Sequence, residues 1–385
     1  IMKKTILDYE TVRLNDERDC IEIIDQTKLP EEIKIVKLRT QEDIRDAISR
    51  LAVRGAPAIG ITGGFALYLA SKEISYSRTH NEVPGSMEIA NDEGYSNDDI
   101  INEFFVQLND AKEYINLSRP TAVDLSWALN KTYDAAVIAN EDFEGDYIGD
   151  RLDHIVYAIK MEAMAIYSNN IDMCKSIGEH ALTLVKAGDT LLTHCNAGKL
   201  ATVDYGTATA VMYLGKERGY NFKIYCDETR PLLQGSRLTA FELSSAGMDV
   251  TLACDNMSAS LMKEGKIDAI FVGCDRVAAN GDTANKIGTL LLAIAAKRYN
   301  VPFYVCAPSS TIDFNSKTGA DIVIEQRDFE EVTSMWFKKP MAPEDINVYN
   351  PAFDVTDADL ITAIITENGI AYAPFEDSLR DLVED

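Results

Sequence analysis

A chain of 385 residues, 46% hydrophobic and 26% charged, has the composition of a globular protein with room for about two or three domains and a sizeable core. Its formal net charge of −25 argues against nucleic acid and anionic membrane surfaces as partners, because both select clustered Lys and Arg. A small phosphorylated substrate needs only a few local donors and stays open. No apolar run reaches the roughly 18 residues that span a bilayer. Asp8, Glu10 and Arg13 break up any signal-peptide core, so a cytoplasmic protein outside the membrane is expected.

In chain order, residues 5–7, 20–24 and 33–38 read as short β runs between acidic turns. From Thr40 the apolar positions Ile44, Ala47, Ile48 and Leu51 recur at helical spacing. A glycine-rich helix follows over residues 53–70, with Pro57 suited to its first turn and Gly60, Gly63 and Gly64 small enough for close packing. Arg54, Gly55 and Ala56 ahead of it suit a phosphate at a helix N-terminus; a buried helix with an exposed Arg fits the same residues. Residues 71–99 are polar, lack periodicity and read as a surface insertion. Helices are expected over 100–117, 123–139 and 153–171, with a break at Ser118-Arg119-Pro120-Thr121 and a new start at Thr121 or just after it. The acidic patch 140–150, or the helix after it, marks a domain boundary.

From Asp189 the rhythm is strand, loop, helix. Strands are expected at 190–194, 222–226, 249–253, 269–272, 302–306 and 321–325, and helices at 205–218, 236–246, 257–264, 285–298 and 357–366. Such alternation implies right-handed crossovers and a mostly parallel sheet covered on both faces. The fold class is therefore α/β: a C-terminal Rossmann-like domain, 151–385, preceded by a smaller, mainly helical N-terminal domain with a short β-sheet, 1–150.

Seven cysteines without a CxxC pair suggest neither a disulfide framework nor a zinc ribbon. Cys195, Cys226, Cys254, Cys274 and Cys306 fall near strand ends, where small buried thiols suit crowded backbone as well as a metal cluster would. No metal is assigned. Three strand ends carry polar clusters: His194-Cys195-Asn196; Arg230, Gln234 and Arg237; and Asp275-Arg276 with Asn285-Lys286. A thiol at a strand end can act as nucleophile or base, and an acid facing basic groups suits proton transfer on a phosphorylated substrate. An Asp that merely caps the following helix is the plain alternative for Asp275.

The segments RGAPAIG, SRPTAVDL, HCNAG followed by YGTA, ETRPLLQGSRLTAFEL, GCDRVAANGDTANKIGT and NPAFDVT occur in this order between residues 53 and 370. Together they resemble the methylthioribose-1-phosphate isomerase family, which is grouped with ribose-1,5-bisphosphate isomerases and the regulatory subunits of eukaryotic translation initiation factor 2B. The resemblance implies conversion of 5-methylthioribose 1-phosphate to 5-methylthioribulose 1-phosphate in methionine salvage, by a homodimer without cofactor. It makes Cys195 and Asp275 catalytic and gives substrate contacts to Arg54, Gly55, Ala56, Arg119, Gln234, Asn285 and Lys286. Lys199, Val203 and Asp204 stand where the family more often has small residues, and Cys274 where it usually has Ala. Two alternatives remain: an isomerase for ribose-1,5-bisphosphate or 5-deoxyribose-1-phosphate, and a non-catalytic regulatory subunit.

Overall fold

The computed structural model describes residues 5–80, 96–119 and 123–383. Glu10–Asn170 form one compact unit; Ile171–Asp385, with Ile1–Tyr9, form the other.

The first unit opens with an antiparallel sheet of β1 (Val12–Asn15), β2 (Cys20–Ile24) and β3 (Ile35–Leu38). Ile21, Ile23 and Ile24 are fully buried, which fixes the central strand. The sequence reading passes over β1, whose Arg13 and Asn15 leave it few apolar positions. The expected run at 5–7 is instead a 3₁₀ turn, Ile6–Asp8, closed by a Thr5–Asp8 capping box. Helix α1 (Gln41–Ser49) starts on a second such box, Thr40 with Asp43, and buries Ile44, Ala47 and Ile48. Helices α2 (Ala56–His80), α3 (Asn97–Asn116), α4 (Val123–Glu141) and the first part of α5 (Ile148–Leu182) complete the unit. The glycines of α2 permit close packing on α4: a Cβ at Gly60 would stand 2.8 Å from the Asp124 carbonyl oxygen, and one at Gly63 would stand 2.7 Å from Leu125. Both edges of the stretch read as an insertion, 71–99, are helical, since α2 runs on and α3 begins behind Ser96. Residues 81–95 of that stretch, and the break at 120–122, lie outside the described residues.

In the second unit a seven-stranded sheet is ordered β14-β13-β10-β7-β4-β5-β6. Its strands are β4 (Thr190–Thr193), β5 (Lys223–Asp227), β6 (Asp249–Ala253), β7 (Ala269–Val272), β10 (Phe303–Cys306), β13 (Ala363–Thr366) and β14 (Gly369–Ala371). All pairings are parallel except β13 with β14. From β4 the chain winds outward through β5 and β6, then returns to β7 on the other side and winds outward through β10 and β13. Interior strands β7, β10 and β13 are buried at every residue, as strands covered on both faces must be. Helices α6 (Ala210–Glu217), α7 (Ala240–Ser245), α8 (Ser258–Lys263), α9 (Thr289–Tyr299), α10 (Glu330–Thr333) and α11 (Phe375–Val383) lie between or after them. A second sheet, ordered β11-β8-β9-β12, contains β8 (Arg276–Ala278), β9 (Thr283–Lys286), β11 (Ile312–Asp313) and β12 (Phe353–Thr356).

This second sheet corrects the sequence reading. Residues 285–288 are not helical: Asn285 and Lys286 end a hairpin strand, and the helix begins at Thr289. The Asn280-Gly281 turn, with Gly281 at φ +91°, closes that hairpin. Residues 205–209 precede α6 without being part of it. Residues 321–325 form no strand, and Val323 is 92% exposed. The last sheet positions go to β13, inside the stretch expected to be a helix at 357–366, and to β14 just after it.

Asp16 collects the first unit's polar contacts. It accepts hydrogen bonds from Tyr68 (2.6 Å) and Lys72 (3.2 Å) on α2 and from Lys160 (2.6 Å) on α5. Burial acts upward on its pKa, but these donors outweigh it and hold the carboxyl down at about 2. An unfolded Asp titrates near 3.9, so the stabilisation is present above that pH and is lost as pH falls toward 2. Asp16→Asn should lower the melting temperature at pH 7, and the gap to the parent should narrow steadily between pH 4 and pH 2. A pH-independent gap would show that the carboxylate charge is not what holds these elements.

Candidate functional site

Open parallel sheets place ligands outside the C-terminal strand ends where the winding direction reverses. Here that point lies between β4 and β7, and Cys195 follows β4 while Asp275 follows β7. The loops carrying them are in close contact: a Cβ at Gly273 would stand 2.5 Å from Ala197 Cβ. Asp275 is exposed, and its N–H donates to the Ala284 carbonyl (2.9 Å), which fixes the turn into the hairpin. It does not cap α9, whose N-cap is Gly288. Asp354 of the NPAFDVT segment does that work, accepting from the N–H groups of Gly288 (2.8 Å) and Leu290 (3.1 Å).

Cys195 is half-buried, with backbone in the left-handed region at φ +65°. That conformation costs a non-glycine residue on the order of 1–2 kcal/mol and persists only when neighbours fix it. Two threonines do so. The Cys195 N–H donates to Thr229 Oγ1 (2.8 Å), and Thr239 Oγ1 donates to the Cys195 carbonyl (2.6 Å). Thr239 Oγ1 also accepts from Asn196 Nδ2 (3.0 Å). Thr229 is itself at φ +65°, and Asp255 holds it by accepting from the N–H groups of Thr229 (2.7 Å) and Arg230 (2.8 Å). The two threonines are marked in the sequence only by proximity to Arg230 and Gln234, and Asp255, after β6, only by standing next to Cys254.

Gln234 precedes a widened helical turn, Gly235–Thr239, at the start of α7. Gly235 sits so close to the end of β5 that a Cβ would stand 1.6 Å from the Asp227 carbonyl oxygen. Gln234 is 8% exposed, and its Oε1 is buried with no hydrogen-bond partner among the described residues. A buried amide oxygen without a donor costs about 1–3 kcal/mol, so this acceptor is suited to a ligand hydroxyl. Arg230 and Arg237, from the same segment, turn to the 330s. Arg230 lies over Phe337 and donates to the Val332 carbonyl (2.8 Å), and Arg237 stacks on Trp336 at 4.4 Å.

At the end of β9, Asn285 is buried and donates to Thr289 Oγ1 (3.0 Å). Lys286 lies over the ring of its cross-strand neighbour Phe353 at 4.4 Å, and its ammonium has no carboxylate partner among the described residues. Arg276 pairs with Asp313 (3.3 Å). Thus Cys195, Gln234 and Asp275 follow the C-terminal ends of β4, β5 and β7, while Asn285 and Lys286 end β9 of the second sheet. Lys199 and Asp204 bond each other at 2.9 Å, so each of these two departures from the family pattern satisfies the other. In the helical unit, Gly55 has φ +94° and precedes the first turn of α2, which leaves N–H groups there unpaired within the helix. Ser49 Oγ on α1 donates to the carbonyl of Ser118 (3.4 Å), the residue before Arg119.

Among the described residues, the grouping of side chains with metal-ligand spacing is His194, Asp227 and Asp255, and no cysteine belongs to it. Ser258, the Thr229 and Arg230 N–H groups, and the histidine itself take up the donor and acceptor positions of these two carboxylates. The donor set fits a hydrogen-bonded network.

Thr239→Val keeps the side chain's shape but leaves Asn196 Nδ2 without its acceptor and the Cys195 carbonyl without its donor. The expected loss is about 1–3 kcal/mol in chemical denaturation. An unchanged midpoint would mean that other contacts hold the Cys195 turn.

Residues 52–373 match the initiation factor 2 subunit family. The methylthioribose-1-phosphate isomerase of Symbiobacterium thermophilum is 52% identical over 373 residues, covering 97% of this chain and 96% of that protein. A 5-deoxyribose 1-phosphate isomerase of Clostridium botulinum is 48% identical, covering 97% and 98%. The crystal structure of 5-methylthioribose 1-phosphate isomerase from Pyrococcus horikoshii superposes with a TM-score of 0.84 at 38% identity, covering 97% and 96%. That of translation initiation factor eIF-2B, subunit delta, from A. fulgidus gives 0.82 at 36%, covering 98% and 99%. The chain belongs to the initiation factor 2 subunit family, among its full-length relatives named as sugar-phosphate isomerases.

Proposed function

We propose that this chain is an aldose–ketose isomerase that converts 5-methylthioribose 1-phosphate to 5-methylthioribulose 1-phosphate. The carrying observation is full-length similarity to a methylthioribose-1-phosphate isomerase, joined to Cys195 and Asp275 at the winding reversal of the sheet. In the net reaction the C1–O4 ring bond breaks, O4 gains a proton, one hydrogen passes from C2 to C1, and the C2 hydroxyl becomes a carbonyl. Electrons balance within the sugar, so no external oxidant or reductant enters.

Asp275 is proposed as the acid that protonates O4, and Cys195 as the base that handles the proton released at C2. Both roles require geometry before acidity: the groups must reach their atoms from opposite sides of the substrate. Lys286 on β9, which has no carboxylate partner among the described residues, is offered to the phosphate, with Asn285 beside it. The bare Gln234 carbonyl is offered to a sugar hydroxyl. Arg54, Gly55, Ala56 and Arg119 keep the substrate contacts that the resemblance assigns to them. A homodimer in the cytoplasm completes the proposal.

The nearest competing substrate is 5-deoxyribose 1-phosphate, on which the 48%-identical relatives are named as acting. A regulatory subunit without turnover is the competitor from another class, favoured only by the likeness to the delta subunit. Purified protein should turn over the methylthio sugar with higher kcat/KM than the 5-deoxy or bisphosphate sugar, followed by NMR of the sugar carbons. No turnover on any of the three would overturn the enzyme reading.

Asp275→Asn should cut kcat by about 10²–10⁴-fold, the usual contribution of a general acid or base, with KM little changed. Cys195→Ser should nearly abolish turnover and keep the fold, because a hydroxyl is a far weaker acid than a thiol. Lys286→Ala and Arg54→Ala should each raise KM by a factor corresponding to about 1.5–3 kcal/mol. Normal kcat in Asp275→Asn would exclude it as the proton donor, and unchanged KM would remove the phosphate assignments.

A further inference from the structure

His194 is 1% exposed, and both of its ring nitrogens face acceptors. Nε2 lies 2.9 Å from the Ile287 carbonyl oxygen, and Nδ1 lies 3.1 Å from Asp227 Oδ2. A carbonyl oxygen only accepts, so Nε2 carries a proton. A neutral imidazole then has a bare Nδ1, which would leave its lone pair facing a carboxylate. The second contact is made only if Nδ1 is protonated too, or if Asp227 is. Asp227 Oδ1 already accepts from the Ser258 hydroxyl, and Asp255 places another carboxylate oxygen 3.9 Å from Nδ1. Asp354 adds a further negative charge near the ring from β12. Burial pushes the Asp227 and Asp354 carboxyls up, but Asp227 and Asp255 both stand at Nδ1 and Asp354 adds its charge, and together they favour the proton on nitrogen.

The ring bridges two pieces of the candidate site. Its own backbone leads directly into Cys195 after β4. Its Nε2 holds Ile287, the residue after Asn285 and Lys286. Gly288 lies against the ring edge, where a Cβ would stand 2.9 Å from His194 Cε1.

We propose that His194 is a positioning residue for the isomerisation: at neutral pH it is an imidazolium whose two N–H groups tie the Cys195 turn and the end of β5 to the Asn285–Lys286 end of β9. The inference rests on the isomerase reading for its consequence in turnover, but not for its protonation state. Burial acts downward on the ring's pKa and is outweighed by the bond and charge of Asp227 and by Asp255, so the pKa is raised. The double contact is thus complete below the raised pKa and is lost as pH rises through it. The neutral ring keeps its Nε2 bond to the Ile287 carbonyl and loses the Nδ1 bond to Asp227, so the tie to the end of β5 loosens.

The chain has four histidines, so the His194 signals in a ¹⁵N spectrum of histidine-labelled protein are those missing from His194→Asn. At neutral pH both ring nitrogens should give the signals of protonated nitrogen. One unprotonated nitrogen would overturn the imidazolium. His194→Asn should lower kcat on the order of 10²-fold, the cost of a misplaced reacting group, and should remove an alkaline limb from the kcat profile. Asp227→Asn supplies the rescue: its amide oxygen still accepts from Ser258, and its NH₂ donates to a neutral Nδ1. That variant should keep kcat near the parent value, show one unprotonated ring nitrogen, and lack the same alkaline limb. A parent-like pH profile and kcat in His194→Asn would overturn the positioning role; if that variant does not fold, a parent-like alkaline limb in Asp227→Asn does so. Absence of turnover in the parent would overturn the isomerase reading and the positioning role with it, while the spectrum alone would still decide the imidazolium.

Discussion

The reversal of winding direction between β4 and β7 is the constraint from which the second unit's site follows. Crossovers between parallel strands are right-handed, so strands added on either side of β4 send their connections to opposite faces of the sheet. At the reversal the loops diverge and leave strand ends uncovered. Cys195 and Asp275 occupy those two ends. The strands beneath them carry only apolar or small buried side chains, so the polar groups have nowhere to go but the edge.

An exposed edge does not by itself hold a thiol in one place. Cys195 is fixed by bonds to its own backbone, from Thr229 on one side and Thr239 on the other, at a left-handed φ that an unsupported cysteine would abandon. Each support is supported in turn: Thr229 by Asp255, Thr239 by Asn196, and Asp227 by Ser258 and His194. The carboxylates here take backbone N–H groups, hydroxyls and a ring nitrogen as donors, which is how buried charge is kept without a lysine or arginine at each one. The Gln234 amide differs, since its buried Oε1 has no hydrogen-bond partner among the described residues at the place where a ligand is expected. The strongly acidic surface is compatible with an anionic substrate because Lys286 is not consumed by a carboxylate.

Some errors in the sequence reading share a cause. Thr283-Ala284-Asn285-Lys286 has no apolar alternation and sits before a helical pattern, so it reads as helix start. It becomes a strand because β8 and β12 offer ladder partners, which are up to some 70 residues away in sequence. The reverse happened at 321–325, whose apolar run Ile322-Val323-Ile324 found no sheet edge to join. At 357–366 the same short apolar run fits either period, and the free edge beside β10 decided for strand. Local pattern sets what a segment can be; a partner decides what it becomes.

The amino-acid sequence by itself determined the order of the parallel strands' segments, the helical run from Thr40, the close packing at Gly60 and Gly63, and the strand ends where Cys195 and Asp275 stand. These follow from short-range periodicity and side-chain size, which the chain carries wherever it goes. Only the tertiary structure decided that Asp354, not Asp275, caps α9, that Lys199 and Asp204 satisfy each other, and that His194 faces an acceptor at each ring nitrogen. Side-chain hydrogen bonds to groups 33 to 93 residues away leave no periodic trace in sequence, because they depend on which strand ends the sheet brings side by side.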